Sequence, residues 1–226
     1  MKTARRQGPE GAGAVTMAGQ APPPHVPPRP PLGARYPHPA IPSLPAHIQE
    51  KILAPQDKLG FVPNVFLGLA RRPAEWRAFF AYHDALMEPE SCGRASRLTK
   101  GDREMIVVAV SSANGCMNCV VMHGAALRLY EKKPLVADQV AVNWRKADIN
   151  PRQRAMLEFV TKVIERSNAL TDEDFAPLHQ HGLDDEDIWD IANITALYCM
   201  ANRTANFANV LPNPQYYLMG RVPRGS

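Results

Sequence analysis

Four cysteines, Cys92, Cys116, Cys119 and Cys199, are too few to staple a chain of 226 residues into a disulfide scaffold. Aromatic residues are scarce at 7%, so a platform for stacking nucleobases is not expected. The net charge is only +4, with no basic stripe or polybasic patch, so neither nucleic acid nor a membrane surface is an expected partner. No run approaches the roughly 18 apolar residues that cross a bilayer. The opening MKTARRQGPEGAGAV has basic residues but no apolar stretch of a secretory signal. A cytoplasmic location is therefore the expectation.

Proline is abundant, and unevenly so. Pro22 to Pro45 holds eleven of the 22 prolines. Such a segment lacks many backbone donors and has little to bury, so residues 1–45 read as an extended or disordered arm. The closing Val222-Pro223-Arg224-Gly225-Ser226 reads as a protease-site remnant, and residues 221–226 as a tail outside the fold.

Between these ends, residues 46–220 read as one all-α domain. Trp76, Phe79, Phe80, His83 and Leu86 recur at helical spacing after Pro73, which suits a first helical turn. Thr99 with Asp102 predicts a cap for a helix through EMIVVAVSSAN, ended by Gly115. A new helix is expected near Cys116, a short one from Pro134 to about Trp144, and another after Asn150-Pro151. Thr171 with Asp174 caps the next, which stops at Gly182, and Asp184 starts the last. The β-branched run Val107 to Val110 fits a buried helix by its length and flanks. No segment alternates with period two.

The chemistry concentrates in Glu104-(x11)-Cys116-Met117-Asn118-Cys119-(x3)-His123. Two cysteines three apart at a helix start can close a disulfide. His123, four residues past Cys119, lies on the same helix face one turn on. Glu104, on the preceding helix, returns toward His123 if the two helices pack antiparallel about Gly115. A thiol with an ordinary pKa near 8.5 needs activation. The helix N-terminus offers partial positive charge, and an imidazole in contact offers proton acceptance. The first argument favours Cys116 and the second Cys119; a proton acceptor in contact is the stronger influence. Other readings stay open on the residues alone: Cys116, Cys119 and His123 with a fourth zinc ligand, a redox- or metal-sensing module without turnover, or two structural cysteines. Haem attachment is excluded because Val120, not histidine, follows Cys119. Cys92 reads as incidental, and Cys199 and His83 as core residues. Arg203 and Asn206 read as a polar cluster or subunit contact.

The string EMIVVAVSSANGCMNCVVMHGAAL resembles the alkylhydroperoxidase D (AhpD-like) family of the carboxymuconolactone decarboxylase-like superfamily. LGFVPNVFLGLARRP and YCMANRTANF resemble its peroxidase-related branch, and the resemblance spans about residues 50 to 212. It implies an all-helical fold and a homo-oligomer, a trimer or hexamer. It implies that Cys119 reacts with a hydroperoxide and that Cys116 resolves the product as a disulfide. It implies further that His123 is the general base on Cys119 and that Glu104 assists through a proton relay. No cofactor or metal is implied, and the reductant is an external dithiol such as a lipoylated protein. One position departs: Asn118 stands where the best-known members carry histidine. A disulfide reductase without efficient peroxide turnover is the alternative activity.

Overall fold

A computed structural model describes residues 34–221. They form ten α-helices: α1 (Ala46–Leu53), α2 (Gln56–Leu59), α3 (Asn64–Leu69), α4 (Pro73–Met87), α5 (Lys100–Ala113), α6 (Met117–Glu131), α7 (Val136–Asn143), α8 (Pro151–Arg166), α9 (Asp172–Gln180) and α10 (Asp185–Ala208). Short 3₁₀ turns join several of them, and no strand occurs among the described residues. None of their helices is long and apolar enough to cross a membrane.

Local chemistry sets most helix starts. Thr99, Asn150, Thr171 and Asp184 each close a reciprocal capping box with the residue three positions on. Each box satisfies two otherwise orphaned backbone donors. Pro134 does not open α7. Lys132 adopts a left-handed conformation and Pro134 sits in a turn, so the helix begins two residues later, at Val136.

Helix α5 is the central pillar. It packs on α6, α7, α8 and α10, and Met105, Ile106, Val107, Val108 and Val110 are fully enclosed. Burying each such side chain contributes roughly 1.5–3 kcal/mol. At the pillar's N-terminal end the buried guanidinium of Arg103 donates to Asp190 of α10 (2.8 Å), which also accepts from Arg94 (2.9 Å). A second apolar cluster, including Ile48, Ile52, Trp76 and Phe80, joins α1 and α4. There the indole of Trp76 donates to the Phe66 carbonyl at 3.0 Å, tying α3 to α4.

The flanks of the predicted domain are attached to it. Residues 1–33 of the proline-rich segment lie outside the described residues, but Ala34 is buried and Arg35 donates to the Ala208 and Phe207 carbonyls at 2.7 Å. At the other end Arg221 grips Asp138 through two hydrogen bonds of 2.6 and 2.8 Å. Residues 222–226 lie outside the described residues.

Candidate active site

Helix α5 ends at Ala113, and Gly115 turns the chain with φ +60°, a conformation costly for a residue with a Cβ. Cys116 then caps α6, which runs back beside α5. This hairpin fixes the site. Cys116 stands at the helix N-cap and Cys119 one turn in, where unpaired amides and the helix dipole favour negative charge. His123 follows a turn later. The antiparallel return brings Glu104 opposite it: His123 Nδ1 donates to Glu104 Oε2 at 2.7 Å. An ionised carboxylate only accepts, so this bond fixes a proton on Nδ1 and leaves Nε2 outside it. The edge-to-face contact of Tyr198 on the His123 ring, at 4.9 Å between centroids, holds the ring's orientation.

Both sulfurs are buried, Cys116 to 1% and Cys119 to 4% exposure, and both are unbridged thiols. Their ionisations are linked, since a thiolate at one disfavours a thiolate at the other. The Cys116 thiol is drawn down to about 7, first by the hydrogen bond from Cys119, then, against the opposing effect of burial, by the Cys119 backbone N–H, Asn202 and the charge of His123. The Cys119 thiol is pushed up, first by donating to Cys116 and then by burial. In the resting pair the charge therefore settles on Cys116, the cysteine favoured by the helix-end argument rather than by the imidazole. The leading difference is the interaction between the two thiols, which favours the charge on Cys116, although Asn118 and Asn202 also favour a thiolate at Cys119. Proton exchange along the S–H···S bond moves the charge to Cys119 without changing the total.

Beneath the sulfurs lies a polar floor that sequence reasoning missed. Asn202 is fully buried, donates to Ser111 Oγ at 2.9 Å and accepts from Asn114 Nδ2 at 3.1 Å. Buried Asn118 points its amide at the Cys119 sulfur, 4.0 Å away. Of these only Asn118 stood out in the sequence; Asn202 reaches the site from α10, ninety residues downstream. Asn206, from the same helix, donates to the Asn114 carbonyl at 3.2 Å, so it belongs to this floor's rim. Cys199 is only half-buried, beside the amide of Asn114. Cys92 is exposed and does not line the cavity beside Cys119.

Cys119, His123 and Glu104 line one wall of a cavity of about 440 Å³; Cys116 does not reach it. The rest of the lining is mostly apolar, with Val65, Phe66, Leu69, Phe79, Phe80 and Met122, and Glu88 and Lys100 among its polar members. The cavity thus has the composition of a small-molecule site, apolar walls around a few polar groups. His83, read from sequence as core, lines it too. Among the described residues no three His, Cys, Asp or Glu side chains converge as a metal-ligand set.

Comparison with known proteins agrees with this architecture. The family model of the carboxymuconolactone decarboxylase family matches residues 73–134, from the start of α4 to just past α6. A protein of Ralstonia eutropha JMP134, described as an alkylhydroperoxidase AhpD core and an uncharacterized peroxidase-related protein, is 60% identical. The match covers 85% of this chain and 98% of that one, with a TM-score of 0.81. A peroxidase-related protein from Silicibacter sp. TM1040 is 37% identical over 87% of this chain and all of its own, with a TM-score of 0.77. Among curated proteins none matches.

Proposed function

The chain belongs to the AhpD-like family, in the peroxidase-related branch of the carboxymuconolactone decarboxylase superfamily, and from that membership and the site we propose that it is a thiol-dependent hydroperoxidase. The observation that carries the proposal is the placement of Cys119, His123 and Glu104 on one wall of an apolar cavity.

His123 Nε2 takes the Cys119 proton while Glu104 stabilises the imidazolium through Nδ1, the division of labour of a nucleophile–base–acid triad. The Cys119 thiolate attacks the terminal oxygen of the peroxide. An S–O bond forms, the O–O bond breaks, the sulfur becomes a sulfenic acid, and the alkoxide takes up a proton and leaves as the alcohol. Cys116, already poised to ionise, displaces water from that sulfur and closes the Cys116–Cys119 disulfide. An external dithiol, such as that of a lipoylated protein, restores both thiols by exchange. The cavity walls favour an organic hydroperoxide with an apolar substituent over hydrogen peroxide. Burial of both sulfurs requires that the reductant reach them through a local opening. In keeping with the family resemblance, the working form is a homo-oligomer, a trimer or hexamer.

Asn118 favours one second reading. Its amide supports a thiolate at Cys119 without supplying a proton, which suits a disulfide reductase that turns peroxide over poorly. Reduced protein mixed with cumene hydroperoxide and analysed by mass spectrometry separates the two. Rapid formation of the Cys116–Cys119 disulfide is the expected result. Thiols that survive the peroxide but reduce a small disulfide would replace the first reading with the second.

A further inference from the structure

The cavity contains a second histidine–carboxylate pair. His83, on α4, lines it among Phe79, Phe80 and Tyr198. Its Nδ1 hydrogen-bonds to Asp84 Oδ1 at 3.0 Å, and Asp84 is also held by the ammonium of Lys51. Burial works against ionisation of Asp84, but its bonds to His83 and Lys51 outweigh that and hold its carboxyl below the usual range. The anion is therefore present whenever the site operates. The ring of Tyr198 touches both imidazoles, His123 at 4.9 Å and His83 at 6.3 Å between centroids. Two imidazoles, each oriented by a carboxylate at Nδ1, thus flank one apolar chamber with Cys119 in its wall.

We propose that His83 is the proton donor to the leaving oxygen of the peroxide. This inference rests on the hydroperoxidase reading. Cleavage of the O–O bond by the Cys119 thiolate forms the sulfur–oxygen bond and expels an alkoxide, a strongly basic leaving group that departs slowly unless protonated. Because Asp84 accepts Nδ1–H, only the imidazolium of His83 has a proton to give from Nε2. That proton passes to the alkoxide as the O–O bond breaks, the alcohol leaves, and neutral His83 reloads from water. The two histidines then divide the work: His123, on the cysteine's own helix, removes a proton from sulfur, and His83, from α4, delivers one to oxygen. The other candidate donors fit less well. Tyr198 has its phenol pushed well above the usual range by burial and by the charge of Glu104, and Lys100 stands exposed at the cavity edge.

The test compares leaving groups. A peracid expels a carboxylate, which needs no proton, whereas tert-butyl hydroperoxide expels an alkoxide. Rates of Cys119 oxidation would be followed by stopped flow for the wild type, His83→Gln and Asp84→Asn. His83→Gln should slow the reaction with tert-butyl hydroperoxide by about a hundredfold, within the usual worth of a general acid. With peracetic acid it should stay within about twofold of wild type, which also shows that the variant is folded with a competent thiol. Asp84→Asn should show the same selectivity to a smaller degree. Equal loss with both oxidants would make His83 a packing residue, and no loss with either would remove it from the reaction; both overturn the inference alone. A wild type inert toward both oxidants would sink the hydroperoxidase reading and this one with it.

Discussion

Glu104 and His123 stand 19 residues apart in the chain, yet the carboxylate accepts the Nδ1–H of the imidazole at 2.7 Å. The bond crosses between two helices and occupies Nδ1 of an imidazole that lines the same cavity as Cys119. Replacing Glu104 by Gln leaves a neutral acceptor and lets the His123 tautomer relax. The expected loss in peroxide reduction is about 10²–10⁴-fold in kcat/KM, the range for removing the orienting acid of such a triad. Steady-state kinetics on the reduced enzyme, with circular dichroism to confirm the fold, checks it. An unchanged rate would detach Glu104 from the chemistry.

The cysteines should fail differently. Cys119→Ser is expected to abolish reaction with hydroperoxide. Cys116→Ser should still be oxidised once, to a sulfenic acid trapped by dimedone, and then stall. Mass spectrometry of the trapped adduct distinguishes the two. A Cys119→Ser protein that consumed peroxide at the wild-type rate would move the attack to another sulfur.

The shared charge of the sulfur pair predicts a pH profile. The first thiolate of the pair forms with a pKa of about 7, because the Cys119 S–H donates to Cys116. Thiolate absorbance and alkylation rate should therefore rise with pH through that value and level off above it. Cys119→Ala removes the leading stabilising bond, so the midpoint must move upward, toward the ordinary thiol value near 8.5. A midpoint that stayed in place would show that the helix end and Asn202 suffice without Cys119.

Asn202 is fully buried and joins Asn114, Ser111 and both sulfurs. Asn202→Leu should destabilise the protein by about 1–3 kcal/mol, since polar groups lose their partners in a closed interior. It should also raise the midpoint of thiol ionisation, because the Asn202 amide favours the thiolate. Chemical denaturation and thiol titration read the two effects separately. Stability lost without any change in titration would confine Asn202 to the core.

A larger cost is expected at the buried ion pair between α5 and α10. Asp190→Ala leaves the buried guanidinium of Arg103 without its anion. Unpairing a buried ion costs about 3–5 kcal/mol, enough to lower the urea midpoint markedly. Restoring apolar balance by also replacing Arg103 with Met should recover much of that loss.

The amino-acid sequence by itself determined where the helices begin and how the sulfurs and imidazole are spaced. Caps at Thr99, Asn150, Thr171 and Asp184 depend on residues three positions apart, and the Cys116, Cys119, His123 spacing lies within two helical turns; both are local, so the chain's own periodicity carries them. The start of α7 escaped this rule because the left-handed turn at Lys132 spends Pro134 before the helix begins. Tertiary packing alone decided the rest. It selected Cys119 as the sulfur at the cavity and Cys116 as the one drawn down by its donors. It also brought His83 from α4 and Tyr198 from α10 to one cavity, and Asn202 from α10 to Ser111 and Asn114. His83 looked like a core residue because its helix face is aromatic, and only the meeting of that face with α6 and α10 makes it a cavity wall. Contacts between distant elements are set by how apolar faces pack, and a spacing rule along the chain holds no record of them.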